Sequence, residues 1–399
     1  MSTSSQTDSP DVRDGDGRAT LVPHIKSPMN TFVESCVNTV AGSAVAVERR
    51  TRHRPRAARL LKVLSGKKNI LVTAHQHPDP DALASSHALA FLLSAKLKDA
   101  AVSMSIRGTI GGGLNDAFTR HAQLKLTPWD EDAIAAGKYD AIILLDTQPL
   151  FSYSPLPAGV MPLAVIDHHR TRGRNPNCDF CDIRVDVGAT TSIIFSYFLE
   201  LQVTIPPDLA AVMLYAIETD LAGAAGTPGE LDNIALSTLT LTADTHKLYQ
   251  MRYVDLPQSY YIATAAGLAN AMYYDNAIFS HIDSIHSLEK AAVSADFLLR
   301  FDQVQWALVT AVNGNKLILS LRTSSPRHSA ADMMRRLVKN IGEGGGHRTK
   351  AGGVITLQSA TPGEIERIRS ILRRRYLRAL NIQASRGQRL IPRTDTSKA

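Results

Sequence analysis

The sequence predicts an α/β protein with a parallel-sheet N-terminal domain and a smaller α/β C-terminal domain. Three observations carry that expectation. Short apolar runs alternate with helix-period segments as far as Met272, the pattern resets after Tyr274, and Asn313-Gly314-Asn315 then separates two further apolar runs. Alternation of this kind implies a parallel sheet covered by helices, and an Asn-Gly pair between strands implies a hairpin.

Taken in order, Asn69–Thr73 is a buried-strand run and Asp81–Leu97 carries helical spacing at Leu83, Ala90 and Leu93. Ala101–Ile106, Ala141–Leu145 and Leu163–Ile166 are further strands, followed by helices over Ala189–Leu201, Asp208–Ile217, Leu231–Ala243 and Ser259–Met272. After the reset come a strand at Ala277–Ile282, a helix at Leu288–Phe301 and the hairpin strands Gln305–Val312 and Lys316–Leu321. Helix Ala330–Ile341, strand Gly353–Leu357 and helix Pro362–Leu380 complete the second domain. The expected boundaries are a disordered leader over 1–48, the first domain over 49–250, a linker helix over 251–275, the second domain over 276–380 and a basic disordered tail over 381–399. Arg49–Lys68 reads as a basic surface helix ahead of the first strand.

The 399 residues are 44% hydrophobic and 20% charged, which is ordinary globular composition. No apolar run approaches the ~18 residues of a membrane span, and no apolar signal core opens the chain, so a cytoplasmic protein without membrane contact is expected. Three cysteines exclude a disulfide scaffold, and the Cys178-x-x-Cys181 pair, in a polar segment with no second ligand pair, reads as incidental loop cysteines. The formal charge of +7 is a property of the end of the chain: Arg373–Ala399 holds eight cations and one acid, and the remainder balances to zero. A duplex-DNA coat is therefore not supported.

Four clusters carry the chemistry. His75-Gln76-His77-Pro78-Asp79-Pro80-Asp81 follows the first strand, Asp146 follows the third, Asp167-His168-His169 follows the fourth, and Asp220 ends a helix. Ligands in open parallel sheets bind beyond the carboxyl ends of the strands, which is where three of the four clusters fall. Carboxylates packed this closely oppose one another's ionisation unless cations join them, and mixed carboxylate and imidazole donors suit ions such as Mn²⁺. In the second domain, Gly344-Gly345-Gly346-His347, with Arg348 and Lys350 nearby and Arg322 on a neighbouring strand, reads as an anion site in which backbone N–H groups approach without Cβ obstruction.

Together, His75-x-x-Pro78-Asp79-x-Asp81-Ala82, Asp146-Thr147, Asp167-His168-His169 and Thr219-Asp220 resemble the four N-terminal motifs of the DHH phosphoesterases. Ser320-Leu321-Arg322 and Gly344-Gly345-Gly346-His347-x-x-x-Ala351-Gly352 resemble the DHH-associated C-terminal substrate-binding domain. The resemblance implies two divalent ions, Mn²⁺ first with Mg²⁺ or Co²⁺ as alternatives. It implies that His75 and Asp79 hold one ion, that Asp81, His168 and Asp220 hold the other, and that Asp146 bridges both and positions the attacking hydroxide. Asp167 and His169 would stand beside the site, with His169 at the scissile phosphate or the leaving oxygen. Arg322, Gly344, Gly345, Gly346 and His347 would grip the distal phosphate or terminal nucleotide. Lys350 stands where the family has a small residue, which adds charge near that grip.

The activity implied is hydrolysis of short oligoribonucleotides to mononucleotides, or of a nucleotide 3′-phosphate. The alternatives are a pyrophosphatase or exopolyphosphatase, a linear or cyclic dinucleotide phosphodiesterase, or a non-catalytic nucleic-acid-binding protein. Weak RNA contact through the basic tail and a homodimer are compatible with each.

Overall fold

The computed structural model describes residues 55–392 except 77, 109, 111–113, 152, 172–175, 222–227, 347 and 384–385. The expected leader, His347 and the last seven residues of the basic tail lie outside the described residues.

The first sheet contains β1 (Asn69–Ala74), β2 (Ala101–Met104), β3 (Ala141–Leu145), β4 (Ala164–Asp167) and β5 (Phe180–Ile183), in the order β2-β1-β3-β4-β5. Every pair is parallel. β3 and β4 are buried at every residue, as strands covered on both faces must be. The covering helices are α1 (Arg56–Val63), α2 (Pro80–Lys96), α3 (Leu114–Ala122), α4 (Glu131–Ala135), α5 (Thr190–Leu201), α6 (Pro207–Leu221), α7 (Glu230–Thr242) and α8 (Thr245–Arg252). α6 is buried without a break from Leu209 to Ile217, so it is apolar all round and runs through the core. The chain passes from β1 outward to β2, then returns past β1 to β3. This reversal opens a crevice at the carboxyl ends of β1 and β3, the switch point of the sheet.

The second domain begins with α9 (Gln258–Ala269), whose Ala263 packs with Ile278, Ile282 and Ala307. The helix expected as a linker therefore belongs to the second core. Its sheet contains β6 (Met272–Tyr274), β7 (Ala277–Ile282), β8 (Trp306–Asn313), β9 (Lys316–Thr323), β10 (Glu343–Gly346), β11 (Lys350–Thr356) and β12 (Gln388–Arg389), ordered β10-β11-β9-β8-β7-β6-β12. Helices α10 (Glu289–Leu298), α11 (Ala330–Val338) and α12 (Pro362–Ala379) flank it. The expected hairpin forms, with Asn313 opposite Lys316 and Gly314 at φ 58°.

Three further elements differ from expectation. Phe180–Ile183 is a strand, and Cys178 and Cys181 are joined in a disulfide at its start. Gly344–Gly346 is not a loop but strand β10, paired with Gly353, Gly352 and Ala351 of β11. A Cβ at Gly344 or Gly353 would lie 2.7 Å or 2.8 Å from the Met334 side chain, so these glycines let α11 close onto the sheet. Part of the expected disordered tail is ordered, since Gln388 and Arg389 pair with Tyr273 and Met272.

α1 is fixed by charge. Asp182 on β5 is fully buried and accepts hydrogen bonds from Arg56, Arg184 and Tyr197, while Glu200 accepts from the backbone N–H groups of Ala57 and Ala58.

Candidate metal centre

Each motif reaches the switch-point crevice by a local device. Asp79 is the N-cap of α2, its carboxylate accepting from the Ala82 N–H at 3.0 Å, with Pro80 in the first turn where its missing donor costs nothing. Capping by Asp79 leaves Asp81 to turn inward. There both Asp81 oxygens accept from the first N–H groups of α5, Thr190 at 2.7 Å and Thr191 at 2.9 Å. The Thr190 and Thr191 hydroxyls do not cap α5. Thr190 donates to Asp146 at 2.9 Å, and the helix N-terminus is taken by Asp81 rather than left for a phosphate.

Asp146 follows β3 at φ 55°, a left-handed conformation that costs most residues about 1–2 kcal/mol and that Asp tolerates. From there its two oxygens point apart. Oδ2 lies 3.4 Å from His75 Nε2, and Oδ1 lies 3.4 Å from His168 Nε2. His75 Nε2 is also 3.9 Å from Asp79, and His168 Nε2 is 3.6 Å from Asp220. Three groups of donors result: His75, Asp79 and Asp146; Asp81, His168 and Asp220; and Asp146, His168 and His169. Within each, the donor atoms lie within 4.8 Å of one another, so each could hold a divalent cation.

The electrostatics are those of an acidic centre. Burial pushes the Asp81 carboxyl well up, and Asp146 and Asp220 add to it. Asp220 is raised to about 6 by burial and by Asp79 and Asp146, against the opposing His168 and Lys350. Burial alone would lower His168, but Asp146, Asp220 and Asp81 outweigh it and raise the imidazole to about 9.

Asp167 and His169 form a second layer. Asp167 Oδ1 accepts from the His169 backbone at 3.1 Å and lies 2.6 Å from His169 Nδ1. Its other oxygen accepts from Gln148 at 2.7 Å, and Gln148 also donates to the His169 carbonyl at 3.0 Å. Gln148 was not legible as a site residue. It is buried at 2% exposure, and its place two positions after Asp146 is the only sequence signal for it.

The second domain reaches the centre through Lys350 on β11. Its ammonium donates to the Thr219 and Asp220 carbonyls at the end of α6, each at 3.0 Å, and stands 3.9 Å from the Asp220 carboxylate. Arg322 pairs directly with Lys350 across β9 and β11, so the two side chains share a face of the sheet. Arg322 is bound there by Asp296, at 2.6 Å, and by Ser320.

Residues 69–217 match the model of the DHH family, N-terminal domain. The chain is 27% identical over 293 residues to an uncharacterised protein of Methanocaldococcus jannaschii, covering 73% of this chain and 59% of that one. It is 31% identical over 152 residues to a probable manganese-dependent inorganic pyrophosphatase of Enterococcus faecalis, covering 38% of this chain and 47% of that one. The chain thus spans about half the length of these curated relatives. The fold is similar to that of an exopolyphosphatase-related protein from Bacteroides fragilis, with a TM-score of 0.64 at 17% identity over 82% of this chain and 97% of the other. All four predicted clusters reach one centre, and three of them lie within the residues matched to the DHH domain; Asp220 lies just past them.

Proposed function

We propose that the protein is a divalent-metal-dependent phosphoester hydrolase, with Mn²⁺ as the preferred ion, acting on short oligoribonucleotides or a nucleotide 3′-phosphate. The observation that carries this reading is Asp146, which faces one donor group with each oxygen at the switch point of the sheet. His75 and Asp79 would hold one ion, Asp81, His168 and Asp220 the other, and Asp146 both. Ions held there would supply Lewis-acid stabilisation of phosphoryl charge and would acidify water.

The chain's own groups do the rest. Asp167 accepts from His169 Nδ1 and thereby makes Nε2 the nitrogen that meets the scissile phosphate or leaving oxygen. Gln148 keeps Asp167 from rotating. The second domain is read as DHH-associated, with Arg322, the β10 glycines and His347 holding the far end of a short substrate. The basic tail adds only a salt-sensitive contact to longer RNA. No helix among the described residues is long and apolar enough to cross a membrane. The similarity to a pyrophosphatase favours a second reading, hydrolysis of a phosphoanhydride at the same centre.

A panel with Mn²⁺ tests the choice: dinucleotide RNA, a nucleoside 3′,5′-bisphosphate, linear di-adenylate, pyrophosphate and polyphosphate. Turnover of pyrophosphate alone overturns the first reading. In the same assay Gln148→Ala should lower kcat by about 10- to 100-fold with KM little changed, the usual loss when a partner of a site residue is removed.

Metal binding should release protons. With His168 near 9 and Asp220 near 6, the metal-free centre holds protons at neutral pH that an ion must displace. Affinity should therefore rise with pH through about 6 and on towards about 9. Calorimetry in two buffers of different ionisation enthalpy reads the count, and a count of zero at pH 7 refutes it.

A further inference from the structure

The segment after Asp146 turns over the metal centre and carries an aromatic arc that the chemistry above does not use. The Tyr153 ring meets His75 edge-on at 5.8 Å between centroids, Phe151 meets Tyr153 at 5.4 Å, and Phe151 meets His169 edge-on at 6.2 Å. The rings thus run from one donor group to the other along the rim. They are held in place, because Gln76 donates from its backbone to the Tyr153 carbonyl at 2.9 Å and from its side chain to the Ser154 carbonyl at 3.1 Å. They do not serve a core: among the described residues, neither Phe151 nor Tyr153 packs into any of the hydrophobic clusters. Instead Tyr153 is 38% exposed and the neighbouring Leu150 is 76% exposed. Rings needed only to brace the histidines could be covered; Tyr153, beside His75, keeps an exposed face.

We propose that Phe151 and Tyr153, with Leu150 beside them, form a stacking ledge for a nucleobase attached to the phosphate being cleaved. The inference rests on the phosphoesterase reading and narrows it to nucleotide esters over inorganic pyrophosphate or polyphosphate, which offer nothing to stack. Base–aromatic stacking tolerates any base, so the ledge should give preference for a base without preference among bases.

The test pairs the substrate with the protein. Wild-type protein should hydrolyse the dinucleotide pApA better than its abasic counterpart by about 10- to 100-fold in kcat/KM, mainly through KM. In the double variant Phe151→Ala, Tyr153→Ala that ratio should collapse towards one, and Phe151→Leu, Tyr153→Leu, which keeps bulk without aromatic faces, should collapse it as well. Equal losses on both substrates overturn the ledge, because the rings then only hold His75 and His169. Binding is read separately with a dinucleotide of 2-aminopurine whose bridging oxygen is replaced by methylene. Its fluorescence should be quenched by wild-type protein and not by the double variant. Absence of quenching with wild type overturns the ledge. Quenching without hydrolysis of any substrate keeps the ledge and sinks the phosphoesterase reading instead.

Discussion

Asp146→Asn should abolish hydrolysis, lowering kcat by at least about 10³-fold, or about 4 kcal/mol of barrier. The choice of Asn isolates the charge. Asn, like Asp, accepts the left-handed backbone found at φ 55°, whereas Ala would add about 1–2 kcal/mol of strain there. The amide keeps an oxygen for one donor group but turns an N–H₂ towards the other, so neither His75 nor His168 loses its neighbour by volume. Thermal unfolding of the metal-free variant should stay close to wild type, because removing one carboxylate relieves Asp81 and Asp220 of a repulsive neighbour while depriving His75 and His168 of an attractive one. Metal titration should show fewer ions bound per chain. Full turnover with two ions still bound would remove Asp146 from the bridging role.

The second large effect is on stability and lies away from the centre. Asp182→Ala should cost about 3–5 kcal/mol, because it leaves Arg184 buried without its carboxylate. Arg184 is 5% exposed in its side chain and donates to both Asp182 oxygens, at 2.8 and 3.0 Å among its contacts. Burial alone would raise the Asp182 carboxyl, but Arg184, Arg56 and Tyr197 outweigh it and hold it below the usual carboxylate range. A depressed carboxylate stabilises the fold above its unfolded value and loses that contribution as pH falls through the folded one. The cluster should therefore hold at neutral pH and fail only in acid. Arg56→Ala, whose partner keeps Arg184, should cost far less. Urea unfolding of the three proteins checks the order, and equal midpoints for wild type and Asp182→Ala would contradict it.

What was legible in the sequence follows from what was local. Each predicted cluster sat directly after an apolar run or at a helix end, so strand position and ligand type could be read together from residues such as Leu145-Asp146 and Ile166-Asp167. β5 escaped because Phe180-Cys181-Asp182-Ile183 carries a buried carboxylate where a strand pattern calls for an apolar side chain, and its partner Arg56 is 126 positions away. β10 escaped because a glycine run normally signals a loop; its reason, room for Met334, belongs to a helix packed over it. Gln148 and the Phe151–Tyr153 arc escaped for the same cause. Their meaning depends on rings and carboxylates brought together by the return of the chain past β1, and no spacing along the sequence encodes that meeting.

Lys350 has a consequence for how the two domains can diverge. The groups it binds at 3.0 Å are main-chain carbonyls, those of Thr219 and Asp220. A carbonyl is present whatever side chain occupies the position, so drift at residue 219 leaves the clasp intact. Only loss of the lysine itself, or a change in where α6 stops, would undo it. This clasp between the domains thus depends on a side chain in the second and chiefly on main-chain groups in the first, so the residues around it can change as substrates change.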